Sequence, residues 1–450
     1  MIKEDSVTTT LRVVFDASSR SSNGKSLNEI QHVGPRLQQD LQMMLLELRK
    51  HKIAVVSDIT KMYRQIKMAE KDIPYQRVLW RDGVYGPIQE YELTTVTFGL
   101  AAAPYLAIRT LLKLASDEEK NFPQGANLTR NNFYVDDLLA SFASVEQAQQ
   151  AVESLVKLTQ AGQFKLRKWA TSNHEALKNI DSKDLLSAME VLLSEDKSDS
   201  IKALRVKWTP NTDKMHINIQ MNEEPTVTKR KAMSVSAKIF DPLGILGPAT
   251  LVFKMLIQDI WKTELGWDEE VPNQIAAKWA VMQNELHILE TIRVPRWIRY
   301  EPNVKHALIG FSDASEKAYG AVLYFKAGDQ VTLIAARTKV APIKRPATLP
   351  RLELLGALLL ADLNAKTMEA LDLNTNETEI LAFIDSQITL AWIQGDHNRW
   401  KFFLSTRTNK IVSRIPRENW FYVDTKDNPA DHVSRGLSPS ELVNCSLWWN

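Results

Sequence analysis

Cysteine is almost missing: Cys445 is the only one in 450 residues. That excludes a disulfide framework and any cysteine-rich zinc site. A surplus of either charge is missing too, with 56 basic against 54 acidic residues and a net charge of +2. Total charge therefore says nothing about a nucleic-acid partner, and any basic surface has to be local. No apolar run reaches the ~20 residues that span a bilayer. The longest candidate, "LLGALLLADL", stops at Asp362. The start, "MIKEDSVTTT", lacks the apolar centre of a signal peptide. No short-period repeat is visible. Asp-Thr-Gly and Asp-Ser-Gly do not occur, which excludes an aspartic protease site. What is present, 44% hydrophobic and 24% charged residues, is the profile of a folded chain. Its length suits about two to four domains.

Two β-branched segments, 11–16 "LRVVFD" and 53–59 "IAVVSDI", read as strands with an aspartate at or near the end. Between them "GPRLQQDLQMMLLELRKH" reads as a helix. A loop breaks at Gly99, and a helix begins near Pro104. After "NNFYVDDLLASF", an amphipathic helix puts Ala148, Ala151, Val152, Leu155 and Val156 on one face. Residues 181–200 are acidic and serine-rich, as in an exposed connection, and 204–219 read as a hairpin turning near Asn211 to Asp213. Residues 228–300 read as helical, punctuated at "FDPLGILGP". An αβ unit starts near His306: three strands, a helix "RLELLGALLLADLNAKTMEAL", then the strand "ILAFIDSQ".

Asp136 and Asp137 interrupt an apolar run. Neighbouring strand residues point to opposite faces, so both cannot be core. A hairpin tip can present both to one cleft, and burying a lone carboxylate is costly enough to call for a cation. Asp58, at the end of "IAVVSD", is the natural partner. Asp58 with Asp136 would give carboxylates from two neighbouring strands, as two Mg²⁺ ions need in phosphoryl transfer, with Asp137 more peripheral. A second series of acids follows. Asp313 sits in a strand, Glu353 on a helix flanking a Leu352, Leu355, Leu359 stripe, Asp385 at a strand end, and Asp431 in a late helix.

The blocks "LRVVFDASS", "SDITKMYRQIKM", "FGLAAAP", "YVDDLLASF" and "GQFKLRKWATSN", in this order, resemble the fingers and palm of reverse transcriptases of Pao/BEL-like LTR retrotransposons. The blocks "DAS…AYGAVLY", "RLELLGA", "FIDSQITLAWI" and "NPADHVSRG" resemble RNase H. The resemblance implies an α/β and α+β multidomain chain. Residues 1–225 would be truncated fingers and palm with a primer-grip hairpin, and 226–300 a thumb- and connection-like helical region. Residues 301–440 would be an RNase H-like mixed αβ domain, and 441–450 a tail. It implies metal-binding roles for Asp58, Asp136 and Asp137, and for Asp313, Glu353, Asp385 and Asp431. Tyr63 would pack against the nucleotide sugar and exclude a 2′-hydroxyl. Arg12 would lie near the triphosphate, or else be an exposed strand arginine. Phe98 and Gly99 would face template and nucleotide. Lys168 would approach the phosphates or be a solvated lysine. The lysines and arginines of 226–300 would meet duplex backbone, though a plain helical bundle fits that composition equally.

The implied activity is RNA-directed DNA polymerisation with RNase H, using Mg²⁺, two per site, with Mn²⁺ an alternative. RNA template, DNA primer, RNA–DNA hybrid and dNTPs would be the partners, without a membrane. Cytoplasmic particles and nuclear delivery are family expectations. The short stretch before "LRVVFDAS" suggests a polyprotein fragment with incomplete fingers. Its alternative is an inactive nucleic-acid-binding remnant. "VDTKDNPAD" lacks the His-containing, Gly-rich loop that some RNases H carry before the last acid.

Overall fold

The structure, a computed structural model, describes residues 15–186, 201–203, 206–217, 219, 226–302, 304–344 and 346–450. Residues 11–14 of the first expected strand, Arg12 among them, and most of the serine-rich connection lie outside the described residues. Two compact units divide the chain: residues 1–40 with 53–190, and residues 41–52 with 191–450.

The first unit is built on an antiparallel sheet. Its strands run Phe133–Tyr134, Asp137–Phe142, Ile53–Ile59 and Leu166–Thr171 in spatial order. The inner strand Ile53–Ile59 is buried on both faces, which is why it reads as a continuous β-branched run without alternation. Its core includes Val55, Leu138, Ala140, Leu155 and Trp169. The helices Ala103–Glu118 and Val145–Ala161 supply apolar faces to this core. Phe15 and Asp16 are not in a strand, and only Leu41–Lys50 of the expected helix at 34–51 is helical.

That helix belongs to the second unit. Its fully buried Arg49 donates to the carbonyls of Arg296, Ile334, Pro295 and Leu333 at 3.0–3.2 Å. Arg296, equally buried, donates to Leu48 O, His51 O and Lys52 O, and is paired with Asp213 at 2.6 and 2.8 Å. The hairpin Val206–Thr209/Lys214–Ile217 turns where expected, but it too lies in the second unit, with Val294–Pro295 added at its edge. The helices Lys229–Lys238, Gly247–Lys262 and Asn273–Leu289 follow.

A five-stranded mixed sheet centres the second unit. Gln330–Val340, Ala318–Ala327 and His306–Ala314 pair antiparallel; Thr378–Ile384 and Trp420–Tyr422 continue in parallel. The helix Leu349–Ala370 is buried nearly all round, so Leu354 is in the core while Leu355 is only half-buried. The expected single stripe was too narrow, because this helix has neighbours on more than one side. The last ten residues are no loose tail. Trp448 is fully buried, donates from its indole N–H to Ile245 O at 3.0 Å, and its carbonyl accepts from the Tyr324 hydroxyl at 2.9 Å.

Candidate functional site

In the first unit, Asp58 and Asp137 are register partners on adjacent antiparallel strands. A bulge falls between Val56 and Asp58 in the pairing to the other side, the kind of irregularity that re-aims a side chain. Val135 and Asp136 form the two-residue tip between Tyr134 and Asp137, which pair. Val135 stands at φ 59°, a left-handed conformation that costs a β-branched residue on the order of 1–3 kcal/mol. Two contacts hold it. Gln38 Oε1 accepts from Val135 N–H at 3.1 Å, and Asp136 O accepts from Ile59 N–H at 2.9 Å. The tip thus brings Asp136 and Asp137 together with Asp58. Burial, then the charges of Asp136 and Asp58, push Asp137 up to about 7, opposed by Lys168. Lys168 Nζ lies 2.9 Å from Asp58 Oδ2, so it is an ion-pair partner and not a free surface lysine.

Tyr63 packs on the core beside this cluster; burial and the charge of Asp136 raise its phenol pKa. Phe98 lies 5.4 Å from Phe15, ring to ring, and Gly99 has φ +94°. A Cβ on Gly99 would sit 2.5 Å from Phe15 O, so glycine is required there on both counts. Asn28, which no sequence pattern marks, fastens this loop: it donates to Gly99 O at 3.1 Å and accepts from Ala101 N–H at 2.7 Å.

In the second unit, the parallel register Ser312 to Ile384 brings Asp385 beside Asp313 at the strand ends. Gly356 lets the helix approach: a Cβ there would stand only 3.0 Å from Asp313 O. Glu353, one turn earlier, reaches the same place. Carboxylate oxygens of Asp313, Glu353 and Asp385 lie within 4.8 Å of one another. Burial, then the charges of Asp313 and Asp385, push Glu353 up to about 9. Burial, opposed by the Ser434 hydroxyl, takes Asp313 to about 7, with Asp385 and Asp431 adding to the rise. Asp431 is therefore within electrostatic reach, but it is ion-paired with Arg435 and stands outside the triad.

Several supporting groups were not singled out from sequence. Ser434 donates to Asp313. Thr425 donates to Asp385 Oδ2 at 2.9 Å. Asn428 donates to Ser312 O at 3.2 Å. They fall in or just before the "NPADHVSRG" block, the one signal that could have found them.

The donor set fits a hard divalent cation. Glu353 Oε2 is buried with no hydrogen-bond partner, and burial favours protons on Glu353 and Asp313 that a cation would replace. The first cluster offers the same oxygen chemistry, with Lys168 ion-paired to Asp58.

Two family models match the chain. Residues 4–174 match reverse transcriptase (RNA-dependent DNA polymerase), and residues 228–386 match the Pao retrotransposon-like RNaseH-like domain. The chain carries the two matches in that order, reverse transcriptase first and the Pao RNaseH-like match second. No curated protein matches it. Among solved structures, it is similar to the foamy viral protease-reverse transcriptase in complex with dsDNA. The identity there is 16% and the TM-score 0.54, over 92% of this chain and 75% of that one. It is also similar to the dRH form of that protein with ds DNA, at 14% identity and TM-score 0.54, over 89% of this chain. The chain spans 62% of that structure's length. These likenesses carry the fold alone. The Pao model spans residues 228–386, so the helices at 229–289 fall in the RNaseH-like match, as does the acid triad. Among the described residues no helix is long and apolar enough to cross a membrane.

Proposed function

We propose that the chain is an RNA-directed DNA polymerase with RNase H activity, acting through two separate carboxylate centres. The observation that carries this is the pair of acid clusters, each built at strand ends and each holding a carboxyl pushed to about 7 or above by burial and neighbouring acids. Such protons are what Mg²⁺ displaces. Two Mg²⁺ per centre, or Mn²⁺, would activate the attacking oxygen and neutralise charge on the leaving group.

At the polymerase centre Asp58, Asp136 and Asp137 would hold the ions. Tyr63, fixed by its packing beside Asp136, would exclude a 2′-hydroxyl by clash and so select dNTPs. Lys168 would exchange Asp58 for a phosphate of the bound nucleotide. Phe98 and Gly99 would border template and nucleotide, and Arg12 is assigned to the triphosphate. At the nuclease centre Asp313, Glu353 and Asp385 would hold the ions, with Asp431 as the outer acid. Ser434 and Thr425 orient the first and third by hydrogen bonds. RNA template, DNA primer and RNA–DNA hybrid are the partners. Residues 226–300 would act as thumb and connection.

The test is primer extension on an RNA template with Mg²⁺, comparing the chain with Asp136→Asn. Extension lost only in the variant is the expected result. Absence of extension by a folded wild-type chain would refute the polymerase assignment.

A further inference from the structure

The helix Leu349–Ala370 opens with no acid in its first turn and with Arg351 there instead. A cation at a helix N-terminus opposes the dipole, so the helix itself gains nothing from it. The guanidinium carbon of Arg351 lies 5.0 Å from the centroid of Phe403. That of Arg407 lies 3.6 Å from the same ring. The two carbons are thus within 8.6 Å of each other, the sum of those distances. Arg407 is further pinned by donating to Phe403 O at 2.9 Å. Among the described residues no acid is paired with either guanidinium. Burial and the charge of Arg351 lower the pKa of Arg407.

Two like charges on one ring, with no counter-charge, are a poor arrangement for folding alone. An anion resolves it, and paired guanidinium forks match phosphate oxygens. The location says which phosphate. Arg351 is two residues before Glu353. Arg407 interacts with Tyr319, which pairs in register with Ala314, next to Asp313. Phe402, beside Phe403, is 85% exposed, an aromatic surface suited to a sugar or base.

We infer that Arg351 and Arg407, braced on Phe403, form a clamp for one backbone phosphate of the duplex entering the nuclease centre. The location of that duplex rests on the nuclease assignment above; the anion-binding chemistry does not.

The experiment is arginine footprinting of the full chain with phenylglyoxal, mapped by mass spectrometry. It is run with no ligand, a short RNA–DNA hybrid, dsDNA of the same length, and polyglutamate. Hybrid cleavage is followed in parallel. The clamp predicts that hybrid slows modification of Arg351 and Arg407 about fivefold or more, while polyglutamate does not. Arg351→Gln with Arg407→Gln should raise KM for hybrid about tenfold and lower its log–log salt slope by about 1, the loss of one phosphate contact. Arg351→Lys with Arg407→Lys should keep the slope and lose part of the affinity. That pair also controls for folding. Hybrid cleaved with both arginines still fully reactive would overturn the clamp and leave the nuclease assignment standing. Protection by hybrid or dsDNA without cleavage would sink the nuclease assignment and leave the clamp. Equal protection by polyglutamate would show a site for acidic protein, and would also overturn it.

Discussion

At the scale of single residues, the second acid cluster stores protons. Glu353 rises to about 9 and Asp313 to about 7, well above their unfolded values. Between the unfolded value and the raised one, the folded state binds more protons than the unfolded state. Metal-free stability therefore falls as pH rises through that window. Glu353→Gln should raise the metal-free melting temperature at pH 8 by a few degrees, at roughly 2–4 °C per kcal/mol, and flatten its pH dependence. Thermal scans in a chelator from pH 5 to 9 check this; an unchanged slope in the variant would count against a buried, proton-holding Glu353. At the other centre, Tyr63→Ala should increase ribonucleotide incorporation by about tenfold or more. Single-nucleotide extension with rNTP and dNTP in parallel measures it, and an unchanged ratio would remove Tyr63 from sugar selection. The acids were legible because a carboxylate at the end of a β-branched run is conspicuous. Ser434, Thr425 and Asn28 were not, because hydroxyl and amide groups follow no hydrophobic period and show their purpose only once their partners are placed.

At the scale of elements, most strands and helices followed from hydrophobic period. The three sheet strands from His306 to Val340 and the helix Leu349–Ala370 fell where their patterns put them. What pattern could not convey was affiliation. The helix Leu41–Lys50 reads the same whichever unit it serves, since its buried arginine meets carbonyls 247 and 285 positions later. Those contacts make a firm prediction. Arg296 has a fully buried side chain, and among the described residues its acidic partner is Asp213. Asp213→Ala leaves the guanidinium uncompensated and should destabilise the second unit by about 3–5 kcal/mol. Urea unfolding of wild type and variant measures the difference; a loss below about 1 kcal/mol would mean the pair is not holding the hairpin, helix and strand together.

At the scale of the whole molecule, the chain passes three times between its two units: residues 41–52 belong with 191–450 while their flanks belong with the first. Domain boundaries drawn along the sequence do not predict this. A fragment starting at 191 lacks Leu48, His51 and Lys52, whose carbonyls Arg296 needs. It should melt lower and less cooperatively than the full chain, as differential scanning calorimetry would record.

Two centres in two units should also fail independently. The most direct measurement is a crossed one on the full chain with Mg²⁺: RNA-templated primer extension and hybrid cleavage, each for wild type, Asp137→Asn and Asp313→Asn. Extension should vanish only in Asp137→Asn, and cleavage only in Asp313→Asn. Loss of both activities in one folded variant, or neither activity in folded wild type, would contradict two separate phosphoryl-transfer centres.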